Sequence, residues 1–358
     1  MKNTRLPSLM VSFAVALSSL TSLASPSSLV ITDWSKDLQA AVTAKNSAQV
    51  RKLTDLNSLD ASLFKRQNTI AAKALSEGRK FYAAGNMEKA IAAYEQVPRG
   101  SDAWLQSLDE KGWAYFRQGK MDKALGETRT LLGDTFVSIV GSDAFFLQSL
   151  SNLKICDYKS IFETGKLFKT TQKDRLLEIQ NLSERGQSSA FTNVIVKANT
   201  FPLQFKEMGQ EAKYLPSDFY RDVTLQKALF HLKLAEAGLP VLQQAQSSSA
   251  AIISAMNNLE KAKQGALLQA QNRIVILARA ENEINFKNLQ KLNLIEVEAI
   301  ERMHADAHAD KEKYAHGQFA ETTSDDLIFP DEGDPWIDEL GKYQVRVNLC
   351  PQNVRRQM

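Results

Sequence analysis

Cysteine, proline and glycine are all scarce in this chain: its 358 residues contain 2, 9 and 16 of them respectively. So few helix breakers, beside abundant alanine, leucine, lysine, glutamate and glutamine, favour long helices over sheets. An excess of one charge is missing too. The 44 basic residues stand against 41 acidic ones, a net charge of +3, and no Lys/Arg cluster is interleaved with aromatics. Nothing therefore points to nucleic acid, whose binders show a basic stripe. Beyond the first 24 residues no segment is apolar enough to cross a bilayer, which takes ~20 residues of helix.

Motifs that carry chemistry are equally sparse. There is no nucleophile elbow, and Thr164-Gly165-Lys166 lacks the upstream glycine with which a phosphate loop cradles its ligand. Ser62-Leu63-Phe64-Lys65 has the spacing of a serine-lysine nucleophile but none of the companion motifs. His304 and His308 are four apart on an expected helix, with Glu301 and Glu312 on nearly the same face, a spacing two metal ligands can use. The metalloprotease pattern needs glutamate directly after the first histidine, where this chain has Ala305. Alternation of Met303, Ala305, Ala307 and Ala309 with charged residues reads as a solvated helix end. The sequence thus implies no cofactor, no metal and no enzyme.

What the chain does contain is an echo. Gly78, Phe81, Tyr82, Gly85 and Ala90 are followed 34 positions later by Gly112, Tyr115, Phe116, Gly119 and Ala124. That period belongs to a stack of paired helices, whose units bury their apolar faces only on one another and expose a curved binding surface. Gly78 and Gly112 fall inside the first helix of each unit, where glycine costs roughly 1 kcal/mol relative to alanine. Such a cost, taken twice at one place, predicts close approach of the second helix. Gly85 and Gly119 stand where a left-handed residue ends the first helix, and Ala90 and Ala124 are small enough to let the pair close.

These residues resemble the tetratricopeptide repeat, which has a small residue at its eighth position, an aromatic at the eleventh and alanine at the twentieth. The next expected aromatic is Tyr94 in the first unit but Thr128 in the second, and the proline near each unit's end is displaced to Pro98 or missing. A degenerate third unit follows, opening at Ala144-Phe145-Phe146-Leu147 and turning at Cys156-Asp157-Tyr158-Lys159. The resemblance implies a concave face built from first-helix positions: Leu75, Arg79 and Tyr82, then Asp109, Trp113, Phe116 and Arg117. Of these, Arg79, Tyr82, Asp109, Trp113 and Arg117 are the candidate partner contacts, while Tyr82 and Phe116 equally suit packing between units. Members of the family that grip a terminal carboxylate use lysine and asparagine there. Leu75, Asp109 and Trp113 depart from that pattern.

The chain starts as an exported protein does. Lys2 and Arg5 precede an apolar run from Leu6 to Leu23, and Ser22-Leu23-Ala24 places small residues where a signal peptidase reads. Cleavage after Ala24, with no nearby cysteine for a lipid anchor, implies a periplasmic or secreted protein with no transmembrane segment left. In such a compartment an even count of cysteines suits a bridge, and Cys156 joined to Cys350 carries the tail back onto the repeats. The chain-entropy model gives so long a loop on the order of 4 to 5 kcal/mol.

The rest reads as helix. We divide the chain into a signal peptide (1–24), an N-terminal helical segment (25–66), the repeats (67–170), a helical continuation or cap (171–240), a long helix or hairpin (241–316) and an acidic, aromatic tail (317–358). Pro202, Pro216 and Pro240 cut the continuation into shorter pieces. Leu267, Ala270, Ile274, Leu277, Glu281 and Ile284, then Leu289, Leu292, Ile295, Ala299 and Met303, form an apolar stripe. A single helix there would be ~100 Å long, and an antiparallel pair turning near Ser247-Ser248-Ser249 or Gly265 is more compact. The stripe either docks within a monomer or forms an intermolecular coiled coil, whose seam Glu260, Lys263 and Glu281 would weaken. In the tail, Trp336, Leu340 and Tyr343 either pack on the chain itself or are presented to a partner, and Gln344-Val345-Arg346-Val347 alternates as a strand does. The expected class is all-α, a repeat solenoid followed by a long helical hairpin and an irregular tail. The expected role is a scaffold or adaptor that binds protein or peptide partners in a bacterial envelope assembly. A hydrolase or metal enzyme and a coiled-coil spacer are the alternatives.

Overall fold

A computed structural model describes residues 28–64, 70–203, 209–245 and 249–305, with positions 343, 345 and 350. The proposed signal peptide, Lys65, His308, Glu312, Trp336, Leu340 and most of the acidic tail lie outside them. The described chain is almost wholly helical. Its one piece of sheet is a two-residue antiparallel contact of β1 (Leu29–Val30) with β2 (Thr200–Phe201).

Three helical hairpins follow one another: α4 (Ile70–Ala83) with α5 (Met87–Tyr94), α6 (Trp104–Arg117) with α7 (Met121–Leu131), and α8 (Ser142–Lys154) with α9 (Tyr158–Thr171). Each second helix also packs on the next unit's first helix. The echoing small residues explain how closely they meet. Ala90 and Ala124 are fully buried, and a Cβ at Gly78 would enter the Tyr94 ring of α5. At Gly112 it would lie 2.8 Å from Leu147 of the next hairpin and 3.5 Å from Cβ of Glu127 in its own.

All three turns are built alike. Gly85 and Gly119 adopt φ +78° and +74°. In each turn two amides close onto the helix end: Gly85 N to Tyr82 O (3.0 Å) with Asn86 N to Phe81 O (2.9 Å), and Gly119 N to Phe116 O with Lys120 N to Tyr115 O (both 3.0 Å). This pair of bonds satisfies carbonyls the helix leaves open and requires a left-handed residue. In the third hairpin that residue is Cys156, at φ +61°. The same turn occurs a fourth time, without glycine, between α1 (Ile31–Thr43) and α2 (Ser47–Leu53). There Lys45 takes φ +54°, and Asn46 caps α2 by accepting from the Gln49 amide at 3.0 Å.

The α1–α2 hairpin does not join the others. With α3 (Leu56–Leu63), α10 (Lys173–Arg185), α11 (Ser189–Lys197), a 3₁₀ turn (Gly209–Tyr214), α12 (Val223–Gln243) and the first half of α13 (Ala250–Ala305), it encloses a second core. Trp34, Leu38, Phe191, Phe201, Phe219 and Phe230 lie in its centre, and each large apolar side chain sealed there contributes about 1.5–3 kcal/mol. Leu225, Leu229 and Leu232 are buried on one face of α12 and Leu234 on the opposite one, because α1 and α13 both cover the helix. Pro240, expected to break the segment, lies inside α12. It and Glu236, whose carbonyl it leaves without an amide partner, are both exposed to water.

Residues 250–305 do not fold back on themselves; α13 (Ala250–Ala305) instead lies antiparallel to α12, from the segment expected as a continuation or cap, since Gly238 meets Leu259 while Asp222 meets Arg273. The reversal falls between Gln243 and Ala250, and α13 runs unbroken through Gly265 for 56 residues, ~84 Å at 1.5 Å per residue. Much of the stripe read from the sequence is internal: Ala270, Ile274, Leu292, Ile295 and Ala299 are buried. Leu267, Ile284 and Met303 remain exposed. Glu281, placed on that seam, pairs with the buried Arg175, which also donates to the carbonyls of Lys213 and Leu215 (both 2.9 Å). Farther along, Asn288 donates to Ser142 Oγ (3.0 Å) and Asp143 Oδ1 (2.8 Å), and Lys169 pairs with Glu296 (3.0 Å). Helix α13 thereby fastens the second core to the third hairpin.

Candidate functional site

The candidate residues occupy the first helices of the hairpins. Arg79 and Tyr82 are three apart on α4. Asp109, Trp113, Phe116 and Arg117 recur at four, three and one on α6, so each set shares a helix face. Leu75 is not among them, being 7% exposed and packed in the core with Ala71, Tyr94 and Leu108.

Rings and cations connect across the units. The Arg117 guanidinium lies over the Tyr82 ring at 4.6 Å, linking the second hairpin to the first. Trp113 meets Phe116 edge-on at 5.8 Å and Phe146 of α8 at 5.5 Å, and the Lys291 ammonium of α13 stands 4.6 Å over Phe146. All four rings are half-buried, and both cations are exposed. Each cation–ring contact is worth ~0.5–1 kcal/mol at such a site.

Charge along this ladder is largely settled internally. Arg79 is engaged: its Nε donates to both oxygens of Glu110 at 2.9 and 3.0 Å, and that bond holds the guanidinium charged. Burial, then the adjacent Glu110, pushes the Tyr94 phenol up. Asp109 is half-buried as a residue, yet its Oδ1 is sealed from solvent without a hydrogen-bond partner. Burial first, then Asp143 and Glu110, raise its carboxyl to about 8, so at neutral pH it is mostly uncharged. Arg117 and Lys291 form no ion pair among the described residues.

Phe146, Lys291 and Glu110 were not singled out as site residues. Phe146 lies 37 positions after Asp109, the same offset that separates the left-handed Cys156 from Gly119, so an alignment of turns would have found it. Nothing local marks Lys291, which arrives on a helix far along the chain.

The two cysteines meet at disulfide distance, Sγ to Sγ 2.13 Å. Tyr343 stacks under Arg129 at 5.1 Å, and its carbonyl occupies the space a Cβ on Gly126 would take. Gly126 is buried there, whereas Ala92, 34 positions earlier, is exposed. Tyr343 therefore rests on α7, away from Arg79 and Trp113.

Comparison with family models, with curated proteins and with solved structures found no match. Among the described residues no group of three His, Cys, Asp or Glu side chains forms a metal-binding cluster, and no helix is long and apolar enough to cross a membrane. His304 is exposed at the end of α13, and Thr164-Gly165-Lys166 lies inside helix α9.

Proposed function

We propose that this protein is an exported, non-enzymatic scaffold of the tetratricopeptide type that holds a protein or peptide partner on the faces of α4, α6 and α8. The observation that carries the reading is the ladder from Tyr82 through Phe116 and Trp113 to Phe146. The half-exposed rings of Phe116, Trp113 and Phe146 touch across the second and third hairpins, Arg117 joins Tyr82 of the first hairpin to them, and Lys291 covers Phe146. Rings of this kind supply a large contact area at little entropic cost, which is why aromatics and arginine dominate binding hot spots. The 34-residue spacing, the shared turn chemistry and the buried alanines support the repeat assignment. The charged, apolar start of the sequence and the paired cysteines support work in an oxidising compartment.

The test is site-specific photo-crosslinking in intact cells, with the photoreactive residue at Trp113 or Arg117 and, as control, at Ala92 on the outer side. A discrete adduct at the first two positions, lost when Phe146→Ala is added, is the expected result. Equal labelling at Ala92, or none at the ladder, overturns the reading.

A further inference from the structure

Helix α13 carries a second apolar stripe. Phe286, Leu294, Val297 and Ile300 are 61%, 68%, 52% and 45% exposed. At 3.6 residues per turn, Phe286, Val297 and Ile300 fall within about 60° of one another, with Leu294 beside them. They face away from Leu292, Ile295 and Ala299, which pack on α8 and α9. Gln290 and Asn293 are the polar residues between them, and Glu283, Lys287, Glu298, Glu301 and Arg302 follow one flank. A contiguous exposed apolar surface on a helix marks an interaction site.

The order of residues along this face indicates what covers it. Reversed about Asn293, the sequence complements itself. Phe286 comes opposite Ile300, and Gln290 comes within one residue of the level of Val297. Leu294 approaches its own copy, Lys287 falls between Glu298 and Glu301, and Glu283 comes beside Arg302. A two-fold axis brings each flank of a helix onto the same flank of its antiparallel mate, so these charges meet with opposite sign. Self-complementarity of this kind is the requirement of an isologous contact. Of the pairs now formed within the helix, Glu283 with Lys287 at 2.6 Å is exposed and worth little in water, and Glu298 with Arg302 at 2.7 Å is half-buried; both exchange for pairs across the interface.

We propose that this face of α13 is a homodimer interface on which a second copy of the chain packs its own α13 antiparallel, centred near Asn293. Four turns of helix, ~22 Å, cover less than the standard interface of about 1,600 Å², so the dimer forms in a concentration-dependent way.

Light scattering after size exclusion tests this on the full chain with its disulfide intact. Across a dilution series the mass rises from one chain toward two, and Leu294→Glu with Val297→Glu holds it at one. Both side chains are exposed, so the variant keeps its fold, which circular dichroism checks. Lys287→Glu weakens the dimer, and adding Glu298→Lys and Glu301→Lys restores it. Asn293→Cys cross-links to its own copy under mild oxidation, while Phe286→Cys does not. A one-chain mass at every concentration, or a dimer indifferent to the Leu294 and Val297 changes, overturns the interface. Failure of the charge exchange to restore association, or self-linking by Phe286→Cys, overturns its antiparallel register.

Discussion

The hairpins of residues 70–171 and the body formed by 29–64 with 173–280 are both helical, but they are held differently. In the hairpins most packing is between neighbours in sequence, with α13 arriving from far along the chain onto the third, glycine or a left-handed cysteine makes each turn, and the apolar interior is divided among separate clusters. In the other body a single core draws on seven helices, with Trp34 of α1 closing on Gly238 of α12. Polar fastenings there join residues a hundred positions apart, as between Arg175 and Glu281. The hairpin α1–α2 sharpens the contrast, because it has the repeat's turn and still packs elsewhere. Turn chemistry makes a hairpin, whereas the faces around it decide what it stacks on.

The largest effect is expected where the tail ties onto the stack. Cys156→Gly keeps the left-handed turn and removes only the bridge, whose loop spans 194 residues. We expect a loss on the order of 4 to 5 kcal/mol in urea unfolding, together with release of the chain at Tyr343 to proteolysis. A far smaller loss would mean that the tail is held by its other contacts.

Next comes a pair of arginines, one from each region. Arg175→Met removes the counter-ion of Glu281, which keeps only its bonds from Ser217, leaves two carbonyls without their donor, and should cost about 3 to 5 kcal/mol. Arg79→Met breaks an ion pair whose arginine is about half exposed and should cost about 1 kcal/mol or less. Equal costs would erase the distinction drawn between long-range and local fastening.

Within the stack, Gly78→Ala forces a Cβ against the Tyr94 ring and should cost about 1 to 3 kcal/mol. Gly265→Ala, with open space around it inside α13, should be neutral or stabilising by up to about 1 kcal/mol. Thermal denaturation of the two variants reads the difference.

The last contrast is in pH. Asp109 titrates at about 8 in the fold, against an ordinary 3.8. The fold therefore favours the protonated form. That preference is fully present below about pH 4 and is lost as pH rises through about 8, so the wild type should lose stability relative to Asp109→Asn across that window, by about 1.4 kcal/mol per pH unit at most. Burial raises Glu127, beside Lys111, to about 7, so Asp109→Asn removes only part of the dependence. Parallel stability curves for the two proteins would place Asp109 in contact with solvent.

The hairpins were legible because their determinants are local and repeated. Gly85, Gly119, Ala90 and Ala124 each act through a turn or a contact within about 20 residues, and periodicity doubles the signal. The ladder was legible in part: Trp113, Tyr82 and Arg117 follow from their helix positions, while Phe146 was masked by the shift from a 34- to a 37-residue offset. Pro240 misled, since a proline in the exposed last turn of a helix sacrifices only a carbonyl that water can reach.

Composition, period and cysteine count were sufficient for a helical chain with paired units and at most one bridge, because each depends on neighbouring residues or on simple number. Other features depended on the folded chain: the company α1 and α2 keep, the arrival of Lys291 over Phe146, the pairing of Glu281 with Arg175, and the choice of which stripe of α13 is buried. Two amphipathic faces of similar strength look alike along a sequence. Packing distinguishes them, since one finds its partners within the chain and the other is left facing water.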